Sequence, residues 1–125
     1  MVRMPIVDVT MVVNRNEVVA ADLTQLLADR VGRTFDSPPG QTWVRLHVLA
    51  QDRYAENDTT LEPADLPVFV AVLTRQVPEK SKLVSEIVAL TRAVSEATGR
   101  SPDRVHIEYA PSAVGRQSFG GKLVE

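Results

Sequence analysis

Leu66-Pro67-Val68-Phe69-Val70-Ala71-Val72-Leu73 lies just past the middle of this 125-residue chain, and it restates an earlier run. That run is Pro5-Ile6-Val7-Asp8-Val9-Thr10-Met11-Val12-Val13, again a proline followed by mostly apolar and β-branched residues. Proline has no N–H for a sheet ladder and is tolerated at a strand's first residue or on an edge. Both runs therefore read as strands that open on a proline, 67 − 5 = 62 positions apart. Trp43-Val44-Arg45-Leu46-His47 and Arg104-Val105-His106-Ile107-Glu108 match at nearly the same offset, 104 − 43 = 61. The chain is thus two copies of one unit.

Each copy reads as strand, helix, strand. In the first, residues 17–31 carry Val19, Leu23, Leu26, Leu27 and Val31 at helical spacing. Asn14 or Asn16 can cap that helix and Gly32 can end it. The turn cluster Asp36-Ser37-Pro38-Pro39-Gly40 leads to a second strand over 42–50. A polar linker, 51–65, separates the copies. In the second, Pro78-Glu79-Lys80 opens a helix with proline in its first turn. Its buried stripe is Leu83, Ile87, Leu90, Val94 and Ala97, and Gly99 closes it. Pro102-Asp103 turns the chain into a last strand, 104–109, and a tail runs over 112–125.

The βαβ units span about 5–50 and 66–111 of a single domain covering 1–125. Strands within each unit must be parallel. The expected fold class is α/β, more closely an α+β two-layer sandwich, with a four-stranded sheet and both helices on one face. Alternation places Val44, Leu46 and Val48 under the helices, with Trp43, Arg45 and His47 on the other face. In the last strand His106 and Glu108 oppose Val105, Ile107 and Tyr109. The first and third strands are apolar on nearly both faces, as in strands covered twice. Oligomerisation through the sheets, in a closed symmetric form, follows.

Bulk properties narrow the function. Hydrophobic residues at 44% and charged ones at 24% describe a globular chain rather than a disordered one. A net charge of −2 argues against nucleic acid, whose phosphates call for a basic patch. Without cysteine there is no disulfide or thiol chemistry, and two histidines make a zinc site improbable. No apolar run approaches the ~20 residues of a membrane span, and no signal peptide opens the chain. A cytoplasmic protein without cofactor or metal is the expectation.

Met4-Pro5 before a strand, the two βαβ units, Ser101-Pro102-Asp103-Arg104-Val105 and Phe119-Gly120-Gly121 together resemble the tautomerase superfamily. That superfamily includes 4-oxalocrotonate tautomerase and macrophage migration inhibitory factor. The resemblance implies a homo-oligomer, a trimer in the first instance, with an N-terminal proline as catalytic base. Pro5 matches that proline, Arg15 the arginine after the first strand, and Arg45 the second-strand arginine that binds and polarises substrate. Phe119 matches an active-site phenylalanine in the tail. In the second unit His106 replaces the arginine. Arg33 loosely resembles an active-site lysine of the inhibitory-factor branch.

The chemistry can also be argued from the residues. A free α-amine titrates near pH ~7.7–8.0. Desolvation and neighbouring guanidinium groups lower that value, leaving a base poised near neutrality for taking a proton next to a carbonyl. Arginines hold a carboxylate bidentately and stabilise a developing enolate. Pro5, Arg15 and Arg45 would catalyse a keto–enol or 1,3-proton shift in a small 2-oxo or enol carboxylic acid. A hydratase or dehalogenase variant of the same site stays open. Pro5 has a basic nitrogen only where residues 1–4 are absent, and a start at Met4 followed by loss of that methionine is the expectation. With residues 1–4 attached, the same fold would be a pseudoenzyme.

Each site residue has a plainer alternative. Pro5 could merely begin an edge strand, and Arg45 could pair with Asp8 or Glu108 across the sheet. Arg15 could be a solvated loop residue. Trp43 and Tyr54 could line the site, though the loop carrying Tyr54 and Glu56-Asn57 is hydrophilic. His47 and His106 suit sheet-face hydrogen bonding better than acid–base work. Phe119 could simply anchor the tail. A ferredoxin-like regulatory module binding a small ligand also fits a βαββαβ order, but there the two units interleave in the sheet. Strand pairing separates the two folds.

Overall fold

The computed structural model describes residues 4–125. In chain order the elements are β1 (Ile6–Val13), α1 (Leu23–Thr34), β2 (Trp43–Ala50), β3 (Val68–Leu73), α2 (Lys80–Thr98) and β4 (Val105–Tyr109). A small hairpin follows, β5 (Ser118–Phe119) and β6 (Lys122–Leu123). The four long strands form one sheet in the order β2-β1-β3-β4. β1 runs parallel to β2, β3 parallel to β4, and β1 antiparallel to β3. Each unit's strands are neighbours, so the units lie side by side and do not interleave. That removes the ferredoxin-like arrangement.

Alternation along the strands makes the core. Val7, Val9 and Met11 of β1 and Val68, Val70 and Val72 of β3 point to one face. There they meet Leu27 and Val31 of α1 and Leu90 and Val94 of α2, all fully buried. Burying a side chain of this size stabilises by about 1.5–3 kcal/mol, so this layer dominates folding. The helices pack on each other, and Arg30 and Glu96 bridge their outer edge at 2.8 Å. No helix among the described residues is long and apolar enough to cross a membrane.

Four expectations are corrected. α1 begins at Leu23, not near Glu17, and Asn14 and Asn16 do not cap it. Asn14 instead opens a β-turn closed by Glu17 N–H to Asn14 O at 2.9 Å, and Arg100 holds the Glu17 carboxylate. Gly32 lies inside α1, because the helix continues until Phe35 is buried at its end and Asp36 takes a left-handed φ of 51°. Pro78 precedes α2 rather than opening it; Glu79 is the cap, accepting the Ser81 and Lys82 N–H groups. Val48 shares a face with Val44 and Leu46 but remains 51% exposed, beyond the reach of the helices. The closing glycine of α2 is as expected, with Gly99 at φ 75°.

The face away from the helices is uncovered. Across it, register aligns Arg45, Asp8, Ala71 and Glu108 in one row and His47, Thr10, Phe69 and His106 in the next. Because β1 and β3 are antiparallel, Pro5 and Pro67 begin their strands at opposite ends of the sheet. The fold therefore has two unlike poles.

Candidate active site

At the Pro5 pole, Pro5 is buried and its carbonyl accepts the Trp43 N–H at 3.0 Å. Trp43 is 48% exposed, with its indole N–H donated to Gly40 O at 2.9 Å. Its ring meets Phe119 edge-on at 5.3 Å between centroids. Phe119 is presented by the β5–β6 hairpin, whose Gly120 and Gly121 take φ values of 58° and 86°. Two consecutive positive φ angles suit the tightest hairpin turns and favour glycine. The tail is fastened to the end of β3 by Ala113 N–H to Thr74 O at 2.9 Å and Val114 N–H to Arg75 O at 3.2 Å.

Beside these contacts lies a partly open cavity of about 270 Å³ lined by Met4, Leu73, Arg75, Ala113, Phe119 and Lys122 among others. Its walls are mainly apolar, and Arg75 and Lys122 bring positive charge to them. Such a space suits a small organic anion. Neither cation was anticipated from the sequence. Arg75 directly follows the third strand as Arg15 follows the first, and that parallel could have flagged it.

The other predicted residues lie elsewhere in the chain. Arg45 forks onto Asp8, with Nε to Oδ1 at 2.6 Å and an outer nitrogen to Oδ2 at 2.8 Å. His47 Nε2 stands 3.4 Å from the same Oδ1. The Arg45 hydrogen bond holds the Asp8 carboxyl below its usual range, against the opposing effect of burial. Arg45 is thus in the cross-strand pair that was its plainer reading. Arg15 lies beyond the far end of β1, and eight strand residues at ~3.3 Å separate it from Pro5 by roughly 26 Å. Arg33 lines a separate groove of about 420 Å³ between α1 and the 37–42 turn.

Tyr54 and His106 belong to the Pro67 pole. Tyr54 donates to Glu56 at 2.7 Å, and Arg104 grips the same carboxylate at 2.5 Å. The Tyr54 hydroxyl is pushed above its usual pKa, first by burial and then by Glu56. Phe69 bridges the rings of Tyr54 and His106, at 5.8 and 5.5 Å. Register makes the Phe69–His106 pair the second unit's equivalent of Asp8–Arg45. An ion pair in one unit is a ring contact in the other.

The sequence matches no protein-family model and no curated protein. Solved structures match along nearly its whole length. Pt0534 inactivated by 2-oxo-3-pentynoate aligns with a TM-score of 0.74 at 17% identity, over 95% of this chain and 94% of that one. Macrophage migration inhibitory factor from Oncomelania hupensis aligns at 0.73 and 16%, over 98% and 83%. A wild-type fused 4-OT, a symmetric trimer, aligns at 0.71 and 19%, over 95% and 94%. The fold is that of the tautomerase superfamily.

Within that tautomerase fold, one chain gathers Pro5, Trp43 and Phe119 and adds Arg75 and Lys122. It does not bring Arg15 there, and Arg45, two positions along β2 from Trp43, is held by Asp8. Side chains on opposite ends of a strand can share a site only when more than one copy builds it.

Proposed function

We propose that this protein is a cofactor-independent tautomerase that moves a proton between carbon and oxygen, or between two carbons, in a small 2-oxo or enol carboxylic acid. The observation that carries this reading is the Pro5 pole itself. Pro5 heads β1 directly after Met4, which lines a mainly apolar, partly open cavity that carries two cations and is walled by Phe119, with Trp43 packed on that ring. Removal of residues 1–4 turns the Pro5 nitrogen from an amide into a secondary amine. Met4, which lines that cavity and holds a left-handed φ of 49°, would vacate it.

The amine then takes a proton from the carbon next to the substrate carbonyl. Negative charge develops on the carbonyl oxygen, and the proton returns from the ammonium to the alternative carbon or oxygen. Arg75 and Lys122 supply attraction for the carboxylate from the same chain, which also lowers the amine's pKa towards the working pH. Arg15 and Arg45 come from neighbouring copies in a homo-oligomer, a trimer by likeness to the fused 4-OT, to stabilise the enolate oxygen. Pt0534 is inactivated by a 2-oxo acid, which supports the same substrate class here.

The test is protein beginning at Pro5, assayed for ketonisation of phenylenolpyruvate and treated with 2-oxo-3-pentynoate. Turnover lost on Pro5→Ala, with an adduct on the Pro5 peptide equal in mass to the whole reagent, supports the proposal. A rate no higher than the uncatalysed one, together with no adduct, overturns it.

A further inference from the structure

The turn after β1 is held far more firmly than an exposed turn requires. Arg15 and Asn16 are its central residues, and Glu17 N–H to Asn14 O at 2.9 Å closes it. A second bond, Asn14 N–H to Glu17 Oε1 at 3.0 Å, closes it again from the other side. Arg100, 83 positions away, then reaches in from the loop after α2. Its two outer nitrogens fork onto the Glu17 carboxylate at 2.9 and 2.8 Å, and one also donates to Val12 O at 2.7 Å. The Arg100 side chain is only 12% exposed. Its own backbone is fixed in turn, with the carbonyl accepting Ser95 Oγ at 2.6 Å and the N–H donating to Thr98 Oγ1 at 3.3 Å.

A largely buried ion pair contributes little net stability, because desolvating two charges offsets most of their attraction. What such a pair fixes is geometry. The segment Val12–Glu17 is clamped at both ends, while Arg15 at its tip is exposed and makes no hydrogen bond or ion pair among the described residues. We propose that Arg100, through Glu17, is a positioning residue that aims Arg15 into the active site of a neighbouring copy. This rests on the tautomerase reading given above. A clamp of this kind limits the wander of a long cation, and a displacement of ~1 Å at such a group can cost ~100-fold in rate.

The experiment is steady-state kinetics on protein beginning at Pro5, with phenylenolpyruvate as substrate. Arg100→Met is expected to lower kcat about ten-fold, the scale of one hydrogen bond to a charged group, with little change in KM, because Arg15 acts on charge that develops only in the transition state. In the Arg15→Ala background, Arg100→Met should add nothing further, because both changes remove one function. Arg100→Lys should recover part of the loss. Should Arg100→Met fail to fold, Glu17→Gln removes the same charge pairing and carries the same expectations. An unchanged kcat, or a full extra factor on top of Arg15→Ala, overturns the positioning role while leaving the tautomerase reading intact. Undiminished turnover in Pro5→Ala overturns the tautomerase reading, and this role with it.

Discussion

Asp8 decides how available Arg45 is. Their forked pair sits on an open sheet face, with the Asp8 side chain 33% and the Arg45 side chain 65% exposed, so solvent screening leaves it little worth to stability. The sign of its pH dependence is still definite. The folded state lowers the Asp8 pKa, chiefly through the Arg45 hydrogen bond, so it binds a proton less readily than the unfolded chain. The contribution is present above the ordinary carboxylate pKa and fades as pH falls through the lowered value. Asp8→Asn should therefore flatten the acid limb of a urea-midpoint profile between about pH 5 and pH 2, leaving the neutral limb nearly unmoved. It should also release Arg45 and raise kcat for a monocarboxylate substrate, and a lowered kcat would mean that Asp8 orients the guanidinium instead of occupying it.

At the scale of elements, α2 depends on a single side chain for its start. Glu79 accepts the Ser81 and Lys82 N–H groups and the Ser81 hydroxyl, satisfying donors that a helix leaves unpaired. Glu79→Ala should lower Tm by a few degrees, with little effect on KM because no residue of α2 is among those lining the cavity. The β5–β6 hairpin makes the opposite case. Gly121→Val would meet the positive φ of 86° and undo the turn that presents Phe119, raising KM with little loss of Tm. Local pattern made most elements legible: strand prolines, the Gly99 stop and the β1 and β3 alternation all act within a few residues. The late start of α1 was not legible, because Glu17, read as its first residue, is held instead in a turn by Arg100 from 83 positions away. Nor was the cavity, whose cations come from the end of β3 and from β6 and meet only in three dimensions.

For the whole molecule, the length of β1 sets the requirement. Pro5 and Arg15 at its two ends can serve one substrate only if they belong to different copies. Pro5→Ala and Arg15→Ala chains, each weak alone, should regain activity when unfolded together and refolded as mixed oligomers. Recovery absent from mixed particles verified by native mass spectrometry would place the two residues in unrelated roles. This division of labour was not legible in the sequence, where Arg45 reads first as a substrate group and pairing with Asp8 or Glu108 is its plainer alternative. One backbone contact carries a last consequence. Trp43 bonds to the carbonyl of Pro5, so that rung of the sheet survives when the chain ahead of Pro5 is trimmed. Chain ends normally fray, and a frayed amine must be ordered afresh at every turnover. Here the new terminus would already be tethered through its own carbonyl, with its ring fixing φ, so a proton acceptor held in this way has almost no conformational entropy left to lose.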